Sequence, residues 1–143
     1  MSEAVSALKG ESRTGFATVA EAGLTGMVTI RADHGSAALA GALGGLGLAL
    51  PGQRGVITSG TMTLAWMSPD ELLLLCGYDA APGIAADLAA ALSGEHALVV
   101  TVSDARARFT VTGAKADEVL MKLCPVDFAR LPAGEMRRTR AAQ

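Results

Sequence analysis

Hydrophobic and polar residues begin to alternate at Met27-Val28-Thr29-Ile30-Arg31, a β-branched run that predicts a strand. Asp33 or Ser36 can cap a following helix by accepting a free amide of its first turn. Behind them Ala38, Leu39, Ala42, Leu43 and Leu46 recur at helical spacing. Gly44, Gly45 and Gly47 weaken the end of that helix, and Leu50-Pro51-Gly52 breaks it. Thr61 to Met67 alternates strictly, which sets Met62, Leu64 and Trp66 on one face of a second strand. Ser68-Pro69-Asp70-Glu71 is a turn signature. Leu72 to Cys76 is apolar on both faces, as a central strand is. After a loop over Gly77 to Gly83, the residues Ile84, Leu88, Ala91 and Leu92 line a second helix that ends at Ser93-Gly94. Leu98 to Val102 then reads as another long strand.

Residues 27–102 thus spell strand, helix, strand, strand, helix, strand. That is the order of a ferredoxin-like split βαβ unit, an α+β architecture with two helices on one face of an antiparallel sheet. Past the tight Ser103-Asp104-Ala105 turn the pattern restarts, with a strand at Phe109 to Thr112 and a stripe of Ala116, Val119, Leu120 and Leu123 on a helix stopped by Pro125. Met136 to Ala142 reads as a further strand. The expected organisation is an N-terminal arm or edge segment over residues 1–23 and one domain over 24–143. Within that domain, 24–103 is a first unit and 104–143 the start of a second, incomplete one.

Composition narrows the function classes. Twelve Lys and Arg against 14 Asp and Glu give a net charge of −2 over 143 residues, half of them hydrophobic. A near-neutral chain lacks the basic excess that binding nucleic acid through its phosphates requires. Two cysteines, Cys76 and Cys124, make neither a disulfide framework nor a structural zinc set. The first 12 residues carry Glu3, Lys9 and Glu11 and no apolar run, which points away from secretion and toward the cytoplasm. The longest apolar run, Ala37 to Leu50, falls short of the roughly 20 residues of a bilayer span.

Two stretches resemble a known family. Residues Ala65 to Leu74, AWMSPDELLL, resemble the LW-x-GPDE-x-LL segment of the gamma subunit of heterotetrameric sarcosine oxidase. Ser103-Asp104-Ala105-Arg106 with Phe109, Val111, Gly113, Ala116, Val119 and Leu120 resembles its SDAR-x-x-F-x-V-x-G-x-x-A-x-x-VL segment. Arg31, Asp33, the Leu50-Pro51 pair and Arg138-Thr139 fit further positions, so the resemblance spans roughly residues 24–140. Ser68 stands where glycine is usual, and the chain ends where family members continue, as in a truncated form or one lacking the C-terminal portion. That family is itself similar to the folate-binding aminomethyltransferases, including the T-protein of the glycine cleavage system.

What the resemblance implies is an accessory subunit of a complex that oxidatively demethylates sarcosine to glycine. FAD, NAD, FMN and tetrahydrofolate would belong to the alpha, beta and delta partner subunits, and this chain would hold no cofactor and do no catalysis. Two other readings compete with it. One is a stand-alone folate-binding or aminomethyl-transfer enzyme, and the other a small homo-oligomeric interaction module.

Candidate chemistry in the residues themselves is thin. His34 and His96 lie just outside expected strands, where a solvated turn histidine is the simpler reading. Cys76 and Cys124 sit in apolar runs that favour buried, inert thiols. The glycines from Gly41 to Gly47 fall at a helix C-terminus, the wrong pole for a phosphate. Trp66 could stack on a pterin or flavin with Asp70 accepting from its edge, but its alternating face makes it core. Asp104 and Arg106 flank a turn suited to an Asx turn or a local ion pair. The arginines Arg130, Arg137, Arg138 and Arg140 suit either a solvated edge strand or an interface. Trp66, Pro69, Asp70, Asp104, Arg106, Gly113 and Arg138 are therefore the family-motif or interface candidates.

Overall fold

The computed structural model describes residues 3–142. The chain runs β1 (Ser12–Thr14), β2 (Thr18–Glu21), β3 (Gly26–Arg31), α1 (Ala37–Gly45), β4 (Val56–Ser59) and β5 (Met62–Ser68). It continues with β6 (Glu71–Cys76), α2 (Ala81–Ala91), β7 (Leu98–Thr101), β8 (Phe109–Thr112) and α3 (Ala116–Leu123). The fold is α+β. A five-stranded antiparallel sheet has the order β4-β5-β6-β3-β7, and a second sheet of three strands has the order β1-β2-β8. No helix among the described residues is long and apolar enough to cross a membrane.

The strand registers explain the core. Ile57, Leu64, Leu74 and Val28 stand side by side across four strands, and Trp66, Leu72, Ile30 and Val99 form the next row. Leu39 and Leu43 of α1 and Ala81, Ala85 and Leu88 of α2 complete the same cluster. Ser36 starts α1 by accepting from the amides of Ala38 and Leu39, as its position in the sequence implies. The other face of the large sheet carries Val56, Ala65, Leu73, Thr29 and Val100 in one row.

Several expectations need correction. Residues 12–21, expected in an arm or edge segment, form the β1–β2 hairpin, with β1 at the edge of the three-stranded sheet. β8 takes its partner from that hairpin, a pairing the sequence did not suggest, which sets Val111 beside Val19 and Phe109 beside Glu21. Met136 to Ala142 is not a strand. Glu135 makes a single bridge to Gly55, and the run Arg137-Arg138-Thr139-Arg140 offers no alternate apolar side chains to bury. β4 went unforeseen, although Val56-Ile57-Thr58-Ser59 followed by Gly60 is a hairpin signature, and Gly60 takes the φ of +57° that a two-residue turn needs at its first position. Helix α2 begins three residues earlier than Ile84, because Pro82 is pre-set for a first helical turn.

The two sheets differ in how well they are packed. The core cluster draws on β3 to β7, α1 and α2, and no residue of β1, β2, β8 or α3 belongs to it. Phe16 at the tip of the β1–β2 hairpin is 86% exposed, and Val19, Phe109, Met121 and Leu123 are exposed as well.

Candidate functional site

Motif residues from distant parts of the chain meet where β3 and β6 run side by side. The register sets Arg31 opposite Glu71, the last residue of one strand against the first of the other. Glu71 is only 4% exposed. Its Oε2 accepts from Arg31 Nη2 at 3.1 Å and from Arg138 Nη1 at 3.3 Å. Arg31 also donates through Nη1 to Asp70 Oδ2 at 3.2 Å. A carboxylate that has lost most of its water must recover that solvation from donors, and two guanidinia provide it here.

The turn between β5 and β6 holds Asp70 in place. Pro69 and Asp70 form the two-residue loop, with an extra residue on β5 between Trp66 and Ser68. Such a bulge lets a proline-led turn join strands of normal twist. Ser68 donates to Asp70 Oδ1 at 2.6 Å. That bond, helped by the charge of Arg31 and opposed by partial desolvation, holds the Asp70 carboxyl below its ordinary value. Serine at the position where the family's motif has glycine therefore acts as a donor to the neighbouring carboxylate.

Trp66 and Asp70 do not share a pocket. Trp66 packs half-buried against the core, and its remaining surface faces a pocket of about 220 Å³ formed with Arg54, Met67, Met136, Arg137 and Arg138. Asp70, Pro69 and His96 border a separate open cavity of about 570 Å³ with Arg31 and Asp33. The stacking arrangement with Asp70 at the edge of a ring bound on Trp66 is thus not assembled.

The Ser103–Arg108 loop borders a third cavity of about 490 Å³, shared with residues 4–7, Glu21, Met27 and Tyr78. Asp104 accepts from the Tyr78 hydroxyl at 2.7 Å, and this contact raises the Tyr78 pKa. An ion pair between Asp104 and Arg106 does not form among the described residues, so the local pairing expected there is replaced by the tyrosine contact. Ser103 is buried and donates to, and accepts from, the backbone of Met27. Gly113 lies apart from these groups in a left-handed conformation, φ +108°, close to Ala17 of the β1–β2 turn.

Glu21 was missed in the sequence and is the most thoroughly bonded carboxylate of the second sheet. It accepts from the amides of Gly10 and Leu8 at 2.8 and 3.0 Å and from the Ser6 hydroxyl at 2.7 Å. The Gly10 amide, then Ser6, then Leu8 hold its pKa down. The thiols of Cys76 and Cys124 are free and buried, and desolvation pushes Cys76 up, away from the reactive thiolate. Among the described residues there is no group of His, Cys, Asp and Glu suited to a metal.

Residues 31–137 match the model of the sarcosine oxidase, gamma subunit family. The chain belongs to the sarcosine oxidase gamma subunit family. It is 36% identical over 120 residues to the sarcosine oxidase subunit gamma of an Arthrobacter species, and 35% identical over 120 residues to that of Corynebacterium sp. strain P-1. Each match covers 82% of this chain and 58% of the relative. A chain of the heterotetrameric sarcosine oxidase from Corynebacterium sp. U-96, solved in complex with pyrrole 2-carboxylate, superposes with a TM-score of 0.69 at 32% identity. That superposition covers 81% of this chain and 60% of the other. The chain thus spans about three-fifths of the length of these gamma subunits.

Arg31 is the first residue of the matched stretch, Asp70 and Glu71 lie inside it, and Arg138 lies one residue beyond its end. Glu71 was present in the motif but was taken only as part of a turn. The second acid of Asp70-Glu71, immediately before four leucines, is the available signal, because at that position it enters the sheet with them.

Proposed function

We propose that this chain is a non-catalytic accessory subunit of a heterotetrameric sarcosine oxidase, supporting assembly of the complex that demethylates sarcosine to glycine. Its partners would be alpha, beta and delta subunits carrying FAD, NAD, FMN and tetrahydrofolate, assembled in the cytoplasm. Family membership supports the identity of the complex. The observation that carries the accessory role is the poorly covered second layer. The β1-β2-β8 sheet and α3 add nothing to the core and leave Phe16, Val19, Phe109, Met121 and Leu123 in water. Exposed apolar side chains on a layer that adds nothing to the core, together with Leu98 and Val100 of β7, suit a surface made for contact.

The strand order supports a finer structural reading. With β7, β3, β6 and β5 as successive neighbours and β4 outside, residues 24–103 correspond to a ferredoxin-like split βαβ unit with one added strand. Residues 104–143, in this reading, belong to a second unit completed elsewhere in longer gamma subunits. Trp66, Pro69, Asp70, Asp104, Arg106, Gly113 and Arg138 serve as interface or framework positions.

Co-expression with the other three subunits tests the role. The chain is expected to co-purify with them, and its omission should lower the yield of assembled oxidase. Failure to co-purify when the partners fold would sink the reading. Titration of the isolated chain with tetrahydrofolate, followed through its single tryptophan, should give no saturable quenching. Micromolar saturation would favour the folate-binding rival instead.

A further inference from the structure

The pocket beside Trp66 has a composition that its core packing does not explain. Three of its six lining residues are arginines, Arg54, Arg137 and Arg138, and the rest are Trp66, Met67 and Met136. No acid lines it. The arrangement is fixed by the backbone. Met136 N–H donates to Arg54 O at 2.9 Å, Val56 N–H to Gly134 O at 2.7 Å, and Trp66 N–H to Gly55 O at 3.0 Å. These bonds clamp the tail against the start of β4 and set Arg137 and Arg138 over the β5 side chains. Arg54 sits at φ +62°, a conformation that costs a residue with a side chain something to hold.

The three guanidinia are unequally used. Arg137 is bound to Glu135 at 2.8 Å and to the Met136 carbonyl. Arg138 gives one N–H to Glu71 and is 61% exposed. Arg54 makes no ion pair among the described residues. Each guanidinium carries five N–H donors, so most donors on Arg54 and Arg138, both of which line the pocket, have no partner among the described residues.

From this we infer that the Arg54–Arg138 pocket receives an acidic segment of a partner subunit, one or two Asp or Glu side chains entering between the guanidinia above the Trp66 ring. The inference rests on the accessory-subunit reading and deepens it by naming the chemistry of one contact. Size selects a side chain over a free ligand. At about 220 Å³ the pocket is below the range of roughly 300–1,000 Å³ typical of small-molecule sites, but ample for an anchoring residue. Composition agrees, since arginine and tryptophan dominate the energetic centres of protein interfaces, and a bidentate carboxylate is the natural partner of a guanidinium fork. A second copy of the chain is the other source of carboxylates, and the test separates the two.

The chain is labelled with 5-fluorotryptophan, which places a single ¹⁹F probe at Trp66, and combined with unlabelled partner subunits. Assembly should shift the resonance. The Arg54→Glu, Arg138→Gln double variant should bind the partners about tenfold or more weakly and show a flatter dependence on NaCl than wild type. Ala89→Glu, on the exposed face of α2 and outside both the pocket and the β1-β2-β8 layer, should change nothing. Arg54→Glu alone touches no intrachain ion pair and keeps the test valid if the double variant folds poorly. Wild type that assembles while both variants bind equally well, with the same salt dependence, overturns the pocket assignment and leaves the accessory role intact. Wild type that does not assemble overturns both. A ¹⁹F shift that depends on the chain's own concentration, without partners, assigns the pocket to self-association and refutes the inference.

Discussion

Replacing Glu71 by alanine asks how much the two-arginine carboxylate stabilises the fold. The carboxylate is nearly buried and takes one N–H from each of Arg31 and Arg138 at 3.1 and 3.3 Å. Hydrogen bonds to a charged group contribute about 1.5–3 kcal/mol each, so the gross loss is about 3–6 kcal/mol. Both guanidinia are about half exposed and regain water when Glu71 is gone, and Arg31 keeps Asp70. Solvent recovery of that kind reduces the net cost to about 2 kcal/mol, well short of breaking a fully buried pair. At this chain length such a loss corresponds to a Tm lower by about 6–8 °C. Urea denaturation monitored by circular dichroism gives the difference directly, provided the m-value is unchanged. A double-mutant cycle with Arg138→Ala isolates the pair, and a coupling of about 0.5–1.5 kcal/mol is expected from residues in contact. Strict additivity in that cycle, or a Glu71→Ala loss below about 0.5 kcal/mol, would refute the account of the cluster.

Other perturbations follow from the same geometry. Glu21 has its pKa held down by Gly10, Ser6 and Leu8, so its contribution is complete above the ordinary glutamate range and fades as pH falls through the depressed value. Acidification should therefore free residues 6–10 to limited proteolysis, and Glu21→Gln should be cut freely at neutral pH; equal resistance of the two at pH 7 would contradict the assignment. Leu43→Ala, at a position with no exposed surface, should cost about 2–5 kcal/mol in urea denaturation. Gly26→Ala would drive a Cβ into the Gly77 carbonyl and the Cys76 sulfur, and a variant with wild-type thermal stability would show that β3 and the end of β6 are not so close. Ser36→Ala removes the α1 cap and should cost about 1 kcal/mol, visible as a lower midpoint with unchanged m-value.

Apart from β4, the elements between 27 and 101 were legible because each carries its own period. Alternation at Met62, Leu64 and Trp66 and the continuous Leu72–Leu75 run report burial on one face and on two, and the helical stripes do likewise. The capping serine and the proline turn were also readable, since both act within a few residues of themselves. Strands β1 and β2 were not. Ser12–Thr14 is exposed throughout and Thr18–Glu21 buries only its last residue, so neither leaves a strong pattern. The candidate positions divide in the same way. Pro69 and Asp70 could be assigned to a turn, whereas nothing near Arg138 signals that it reaches Glu71, 67 residues earlier.

The sequence by itself determined what short-range periodicity and turn chemistry control, namely most of the strands and helices between residues 27 and 123, which of their faces are apolar, and the family to which two motif stretches point. Only the tertiary structure decided the pairing of β2 with β8, the charge cluster around Glu71, and the arginine-lined pocket over Trp66. Those contacts join residues far apart in the chain, and a polar side chain takes its partner from whatever the folded backbone brings within about 3 Å of it, a distance that no local pattern encodes.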